Sequence, residues 1–296
     1  MTQTKKQHYV PQFLLRMFAC GRKHNHIWVF DKRTCEVRRQ SLREVAHENL
    51  FYEHPALAKT SIRLEERLAA LEGQIAPQLK RIVTDCSLRS VDAVARESLL
   101  DFFLVQLFRT QSAREYAMIG HRQLTGSDLA SGLAKMASLQ CMVRNFEQFR
   151  ECCSSHILTI REASGRERFI LSDHPVGIQA TQGATIECLT DLLRDATVLL
   201  PISPSLMLLI FPPSRISGFQ MAGDWFRSDL YVLDEAQPAM PGDVASAVAH
   251  QVFTATRFLF SNTDDFSDVR RLLKQNPLAR TRPLIEADSI KWPESG

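Results

Sequence analysis

Across residues 61–83, the apolar positions Ile62, Leu64, Leu68, Leu71, Ile75, Leu79 and Ile82 recur mostly three and four apart, the spacing of a helix with one buried face. Pro77 falls inside that pattern and is expected to bend the helix or split it in two. A second long helix is expected over about 92–119 and a third over about 128–150. Nearer the start, Pro11 suits a first helical turn, so 11–18 reads as a short helix with Phe13, Leu14, Met17 and Phe18 on its apolar side. His8, Tyr9 and Val10 enter it extended, because the residue before a proline avoids helical geometry.

Alternation marks the rest. His26 to Asp31 and Thr34 to Arg38 flank the polar pair Lys32 and Arg33, which predicts a β-hairpin at about 26–39. Ser41 is placed to cap a helix carrying Leu42, Val45 and Ala46, with Glu44 at the capping-box position. After Cys153 the texture changes: 157–160, 169–171, 197–200 and 206–211 read as strands between turn residues, followed by a helix at about 243–256 and a strand at 257–261. The fold expected is α+β, a helix-rich N-terminal half with a small hairpin packed on a strand-rich C-terminal half. Its regions are 1–150, 151–262 and a polar tail over 263–296.

Composition narrows the class. A chain of 296 residues, 45% hydrophobic and 23% charged, can bury a large core, which excludes disorder and fibrous structure. Its apolar runs fall short of the roughly 18 residues that cross a bilayer, and no apolar signal region opens it. No membrane partner is therefore expected. The seven cysteines are scattered without a CxxC pair and read as reduced thiols, which places the protein in the cytoplasm. The net charge of +3 conceals an asymmetry: residues 1–150 hold 23 Lys and Arg against 15 Asp and Glu, and the remainder 13 against 18. A basic first half would attract phosphate backbones, or simply its own acidic second half.

Phosphate-binding glycine loops, serine-nucleophile motifs and zinc-ligand spacings are all absent from the sequence. His24 and His26 flank Asn25 in a turn, which fits a solvated turn better than a metal site. Polar groups set in apolar surroundings remain. His8, Tyr9, Gln12 and Arg16 surround the start of the first helix, where free amides would suit an anion, or where His8 and Tyr9 merely pin the N-terminus. Asp101, Gln106 and Arg109 lie in a helix apolar nearly all round and must find partners; Gln106 and Arg109, three apart, can reach one cavity. Asp101 reads as a structural ion pair. Asp173 and His174 follow a strand and precede Pro175, a place for metal binding, proton transfer or an Asx turn. Asn49 reads as a helix C-cap, with Tyr52 close behind.

Together QHYVPQFLLRMF, HIWVFDKRT, ENLFY, VQLFRTQSAR, FILSDHPVG and LLPISP resemble the bacterial domain of unknown function 4238 family over about residues 7–262. The resemblance implies a shared fold and recurrent polar positions, here His8, Tyr9, Gln12, Asn49, Tyr52, Arg109 and Asp173, and implies no reaction. Met17 and His174 stand where that pattern has Asn.

Two functions are open. One is a nucleic-acid-processing hydrolase of the phosphodiesterase type: Asp173, holding a divalent metal ion, positions water, His8 serves as general base or acid, and Arg109 stabilises phosphate charge. Tyr9, Gln12, Asn49, Tyr52 and Gln106 would then bind the ligand. The other is a non-catalytic module that binds a ligand, a nucleic acid or a protein. The enzyme reading requires His8, Arg109 and Asp173 to lie in one cleft, and scatter over more than one would remove it; His8, Gln12, Arg109 and Asp173 are expected to meet at one polar site that binds an anion.

Overall fold

The hairpin forms over the expected stretch, with β2 (His26–Asp31) and β3 (Glu36–Ser41) antiparallel and Trp28 opposite Arg39, but its turn also takes in Thr34 and Cys35, residues expected in the second strand. It is not a separate feature of the first half. In this computed structural model, which describes residues 6–21, 23–49, 58–179, 194–215 and 226–284, β2 also pairs with β13 (Phe258–Ser261), and β13 with β6 (Leu171–Ser172). The resulting four-stranded sheet runs β3-β2-β13-β6. Near it, β1 (Lys6–His8) pairs antiparallel with β4 (His47–Asn49), setting His8 beside His47. The protein is a mixed α/β structure, but strands also open the chain, so the expected division into a helical and a strand-rich half is not clearly drawn: the four-stranded sheet takes β2 and β3 from the first half and β6 and β13 from the second.

A seven-stranded sheet supplies the other platform. Its main path runs β10 (Phe226–Arg227), β11 (Val232–Leu233), β5 (Ile157–Glu162), β9 (Leu206–Phe211), β8 (Thr197–Pro201), β7 (Gly177–Gln179), and β12 (Gln237–Pro238) pairs with β5. Successive side chains on a strand face opposite ways. Thus Leu206, Leu208 and Ile210 enter one core cluster while Met207 and Leu209 enter the other, and the uninterrupted apolar run of β9 is explained by cover on both faces.

Seven α-helices lie among the described residues. Helix α1 is Gln12–Met17, and α2, Ala58–Asp85, runs through Pro77. The proline lies on the exposed side, where the carbonyl it leaves without a donor can meet water, while Ile75, Leu79 and Ile82 bury the opposite face. The expected second helix is two: α3 (Ala93–Phe108) ends at Arg109, and Thr110 caps α4 (Gln111–Thr125) by accepting from the Ala113 amide at 3.3 Å. Then come α5 (Ser131–Cys153), α6 (Asp243–Thr254) and α7 (Ser267–Gln275). The expected helix after Ser41 is one 3-10 turn, Leu42–Glu44, with Ser41 accepting from Arg43. The region read as a polar tail contains α7, whose Val269, Leu272 and Leu273 are buried against α6 and the hairpin sheet.

One core cluster joins Tyr9, Val10, Leu14, Leu15 and Phe18 to α2, α3 and one face of both sheets; the second joins α6 and α7 to the other face. Among the described residues no helix is long and apolar enough to cross a membrane. The described cysteines Cys20, Cys35, Cys86, Cys152 and Cys153 are free thiols.

Candidate functional site

The break between α3 and α4 decides where the N-terminal motif sits. Arg109, 1% exposed, turns out of α3 and donates from Nε to the Tyr9 carbonyl at 3.1 Å and from Nη2 to the His8 carbonyl at 3.3 Å. Its Nη1 donates to Glu72 Oε1 at 2.7 Å. The guanidinium therefore clamps the main chain of the motif to α2 and α3, and Phe13 packs on Phe102 with ring centroids 5.5 Å apart. Gln12 Nε2 donates to His8 Nε2 at 2.8 Å, which needs that ring nitrogen unprotonated. Burial, helped by the neighbouring His47 and Arg109, lowers the His8 pKa in the same sense. Helix α1 has six residues, and its start at Pro11 takes no side-chain cap.

Asp173 lies behind this motif and is fully buried. Its Oδ1 accepts from the Thr256 amide at 2.8 Å, and its Oδ2 from the Arg257 and Phe258 amides at 2.7 and 2.8 Å. Burial pushes its carboxyl upward, opposed by those amides and by the Lys32 ammonium. On balance burial wins and the carboxyl stays raised, although every polar contact it makes is with a donor. A divalent cation at Asp173 would have to displace main-chain donors and sit close to a second positive charge, so this donor set does not fit the metal. Among the described residues no three His, Cys, Asp or Glu side chains come together to hold one.

Lys32 is the unexpected member. It lies in the hairpin turn yet is 0% exposed, donating to the Val252 and Ala255 carbonyls at 2.6 and 2.7 Å at the C-terminal end of α6. Burial lowers its pKa to about 8 against the pull of Asp173 and Glu115. Its neighbour Asp31, also 0% exposed, accepts from Arg257 Nε and Nη2 at 3.0 and 2.7 Å. Burial pushes Asp31 upward, but Arg257 and the turn amides outweigh it and hold the carboxyl below its ordinary value.

Helix α4 closes the group. Ser112 Oγ donates to the Thr254 carbonyl at 2.6 Å and lies 2.8 Å from Thr256 Oγ1, which fixes the first turn of α4 against the segment that holds both Lys32 and Asp173. Thr110 Oγ1 is 2.6 Å from His174 Nδ1, and burial lowers the His174 pKa to about 4. Arg114 Nη1 lies 3.2 Å from both oxygens of Glu48. Tyr9 is buried among these groups; desolvation, then Asp173 and Glu48, push its phenol up, so it remains a protonated donor. Glu115, one helical turn from Ser112, is half-buried and takes no hydrogen bond or ion pair among the described residues. Burial, then Asp173, push its carboxyl up against Arg33 and Lys32.

The sequence-derived candidates thus divide. His8, Tyr9, Gln12 and Arg109 come together through the contacts above, and Asp173 reaches Tyr9 electrostatically. Gln106 is fully buried, and neither polar atom of its amide has a partner among the described residues. Asn49 lies in β4 opposite Lys6, not at a helix end, because the segment after the 3-10 turn pairs with β1. Tyr52 lies outside the described residues. Asp101 makes a structural pair, accepting from Arg150 Nε and Nη2 at 2.8 and 2.6 Å. Sequence reasoning missed Lys32, Glu115 and Arg257. For Lys32 a signal was present: Trp28, Phe30 and Lys32 share one strand face, and that face is covered. A cavity of about 460 Å³ is lined by Asp85, Ser87, Arg89, Ser90 and Glu235, none of them a motif residue.

A family model described as a protein of unknown function (DUF4238) matches residues 6–265, and the chain belongs to that family. No curated protein and no solved structure matches the chain.

Proposed function

We propose that this member of the family is a nucleic-acid-binding protein whose contact surface is the arginine strip formed by the β3 edge and its flanking turns, with Arg38 and Arg39 projecting on opposite faces of the sheet at that edge. The observation behind this reading is that Arg33, Arg38, Arg39 and Arg43 are all exposed and none has an acidic hydrogen-bond or ion-pair partner among the described residues. Arg38 instead lies 5.8 Å from the ring centroid of Phe258, whose other neighbour, Arg257, lies at 4.8 Å. Of the acidic side chains on the strip, Asp31 is committed to Arg257, Glu36 accepts from Thr34, and Glu44 lies 3.9 Å from His47. Unpaired arginines on an open sheet edge supply the sequence-independent attraction that phosphate backbones need. A charged edge also discourages pairing with another strand, and that role alone would require no ligand.

On this reading His8, Arg109 and Asp173 are the frame of the surface: Arg109 pins the N-terminal motif, and Asp173 pins the start of β13, which carries Phe258. Fluorescence anisotropy with labelled single-stranded and duplex RNA and DNA, titrated with salt, tests the proposal. Changing Arg33, Arg38, Arg39 and Arg43 together to Gln should leave the thermal midpoint unchanged and reduce the magnitude of the log affinity against log salt slope by about three. Equal affinity and slope in the variant would remove the nucleic-acid reading and leave edge protection as the role of the strip.

A further inference from the structure

A single aromatic ring on the strip is approached by two arginines. The guanidinium carbon of Arg257 lies 4.8 Å from the centroid of the Phe258 ring, and that of Arg38 lies 5.8 Å from it. Strand alternation explains the meeting. Phe258 is level with Asp31 on β2, and Asp31 with Glu36 on β3, so Arg38, two residues past Glu36, shares the sheet face of Phe258. Further along that face Ile27, Val29 and Phe260 enter the core, whereas Phe258 is only partly buried. Arg257 precedes β13 in a bend, which lets its side chain turn back to the ring of its neighbour and reach Asp31.

The pair is fixed by the fold. Asp31, fully buried, accepts from Nε and Nη2 of Arg257 at 3.0 and 2.7 Å, the Arg257 and Phe258 amides donate to Asp173, and the Arg257 carbonyl accepts from the Lys32 amide at 2.9 Å. Donors are nevertheless left unspent. Nη1 of Arg257 and the whole guanidinium of Arg38 make no hydrogen bond among the described residues, and the Arg257 side chain is 38% exposed.

We infer that the strip binds single-stranded nucleic acid, with one unpaired base stacking on the pair formed by Phe258 and Arg257 and with Arg38 holding the phosphate beside it. The inference deepens the nucleic-acid reading above and rests on it. Two features select the single strand. An unpaired base has a free face to lay on an aromatic ring or a guanidinium plane, whereas the faces of a base inside a duplex are covered by its neighbours. Arg38 and Arg39 also project on opposite faces of the sheet, so a backbone that meets both must bend round the β3 edge, which a flexible strand does and a stiff duplex resists. The platform favours no particular base, because every base has such a face.

Fluorescence anisotropy compares a labelled DNA single strand, its RNA counterpart, the corresponding duplexes and an abasic DNA strand, which keeps the phosphates and lacks the bases. In parallel, single strands carrying 5-iodouracil are irradiated with the full chain, and the crosslinked residue is mapped by mass spectrometry. The base-bearing single strands should bind at least about 5-fold more tightly than the abasic strand and the duplexes, and the crosslink should map to Phe258. Phe258→Leu, with an unchanged thermal midpoint, should lose a similar factor for base-bearing strands while the affinity of the abasic strand and the salt slope stay the same. Equal affinity for base-bearing and abasic strands, a preference for duplex, or no crosslink at Phe258 overturns the inference; in each case loss of binding in the variant lacking the four arginines still supports the strip. Binding of no nucleic acid by the unaltered chain overturns both readings. If Phe258→Leu does not fold, the abasic comparison and the crosslink, both made on the unaltered chain, decide the matter.

Discussion

Asp173→Asn is the perturbation that tests the frame most directly. The carboxylate accepts three main-chain hydrogen bonds, one at Oδ1 and two at Oδ2, from consecutive residues Thr256, Arg257 and Phe258. An asparagine keeps one acceptor oxygen. In its better orientation that oxygen retains the two bonds at the Oδ2 position and turns an NH2 group toward the Thr256 amide, donor against donor. Losing one bond to a charged acceptor costs about 1.5–3 kcal/mol, and the two remaining bonds weaken as the acceptor loses its charge. Lys32 loses its buried counter-charge as well, so the total is on the order of 3–5 kcal/mol. That is a large part of the roughly 5–15 kcal/mol by which a domain is stable. Urea unfolding followed by circular dichroism at pH 7.5 measures it. Hydrogen exchange should also show the amides of 256–258 deprotected before global unfolding. If the variant loses under about 1 kcal/mol and keeps those amides protected, the carboxylate charge is unnecessary to the fold and the framing role given to Asp173 is mistaken.

Acid should destabilise the protein through His174 and His250, whose buried rings are both lowered to about 4. The unfolded chain takes up protons first, near the ordinary value of about 6.5, so their contribution is complete above that pH and lost as pH falls toward 4. Between pH 7 and 4.5 each should cost about 2–3 kcal/mol, and the denaturation midpoint of His174→Gln should fall less steeply over that interval; an equally steep fall would refute it. Arg109→Met should leave the His8 and Tyr9 carbonyls without their donor at a cost of about 3 kcal/mol. Hydrogen exchange over residues 6–18 should quicken, and unchanged protection there would show that apolar packing alone holds the motif.

Long periodic segments were readable because their pattern repeats. Leu206–Phe211 forms a strand over the span read, and the 61–83 pattern lies inside α2. Strands β1, β4, β7 and β10 to β12 were not readable, being two or three residues long, too short for alternation to show, and made by pairing with distant partners. The α3 to α4 break was hidden because Arg109 and Thr110 are ordinary helix residues by propensity; the clamp on the His8 and Tyr9 carbonyls and the Thr110 cap outweigh that. Helix α7 was legible in principle, since Phe266, Val269, Leu272 and Leu273 keep helical spacing. At the site, apolar context did identify His8, Tyr9, Gln12, Arg109 and Asp173 as groups needing partners. It did not show that those partners are largely main-chain atoms, nor that a lysine in a polar turn would be swallowed by a helix end 220 residues away.

The sheet that joins β2 to β13 sets a timetable for the growing chain. Asp31 waits for Arg257, 226 residues later, and at about 5–20 residues per second the interval is roughly 10–45 s. Throughout it the hairpin presents the inner edge of His-Ile-Trp-Val-Phe-Asp with no strand beside it, while its outer edge already carries Arg38 and Arg39. The charged side is thus guarded during synthesis and the apolar side is not. A chain truncated before 258 would keep that edge open permanently, and an open edge of this composition invites association with other strands.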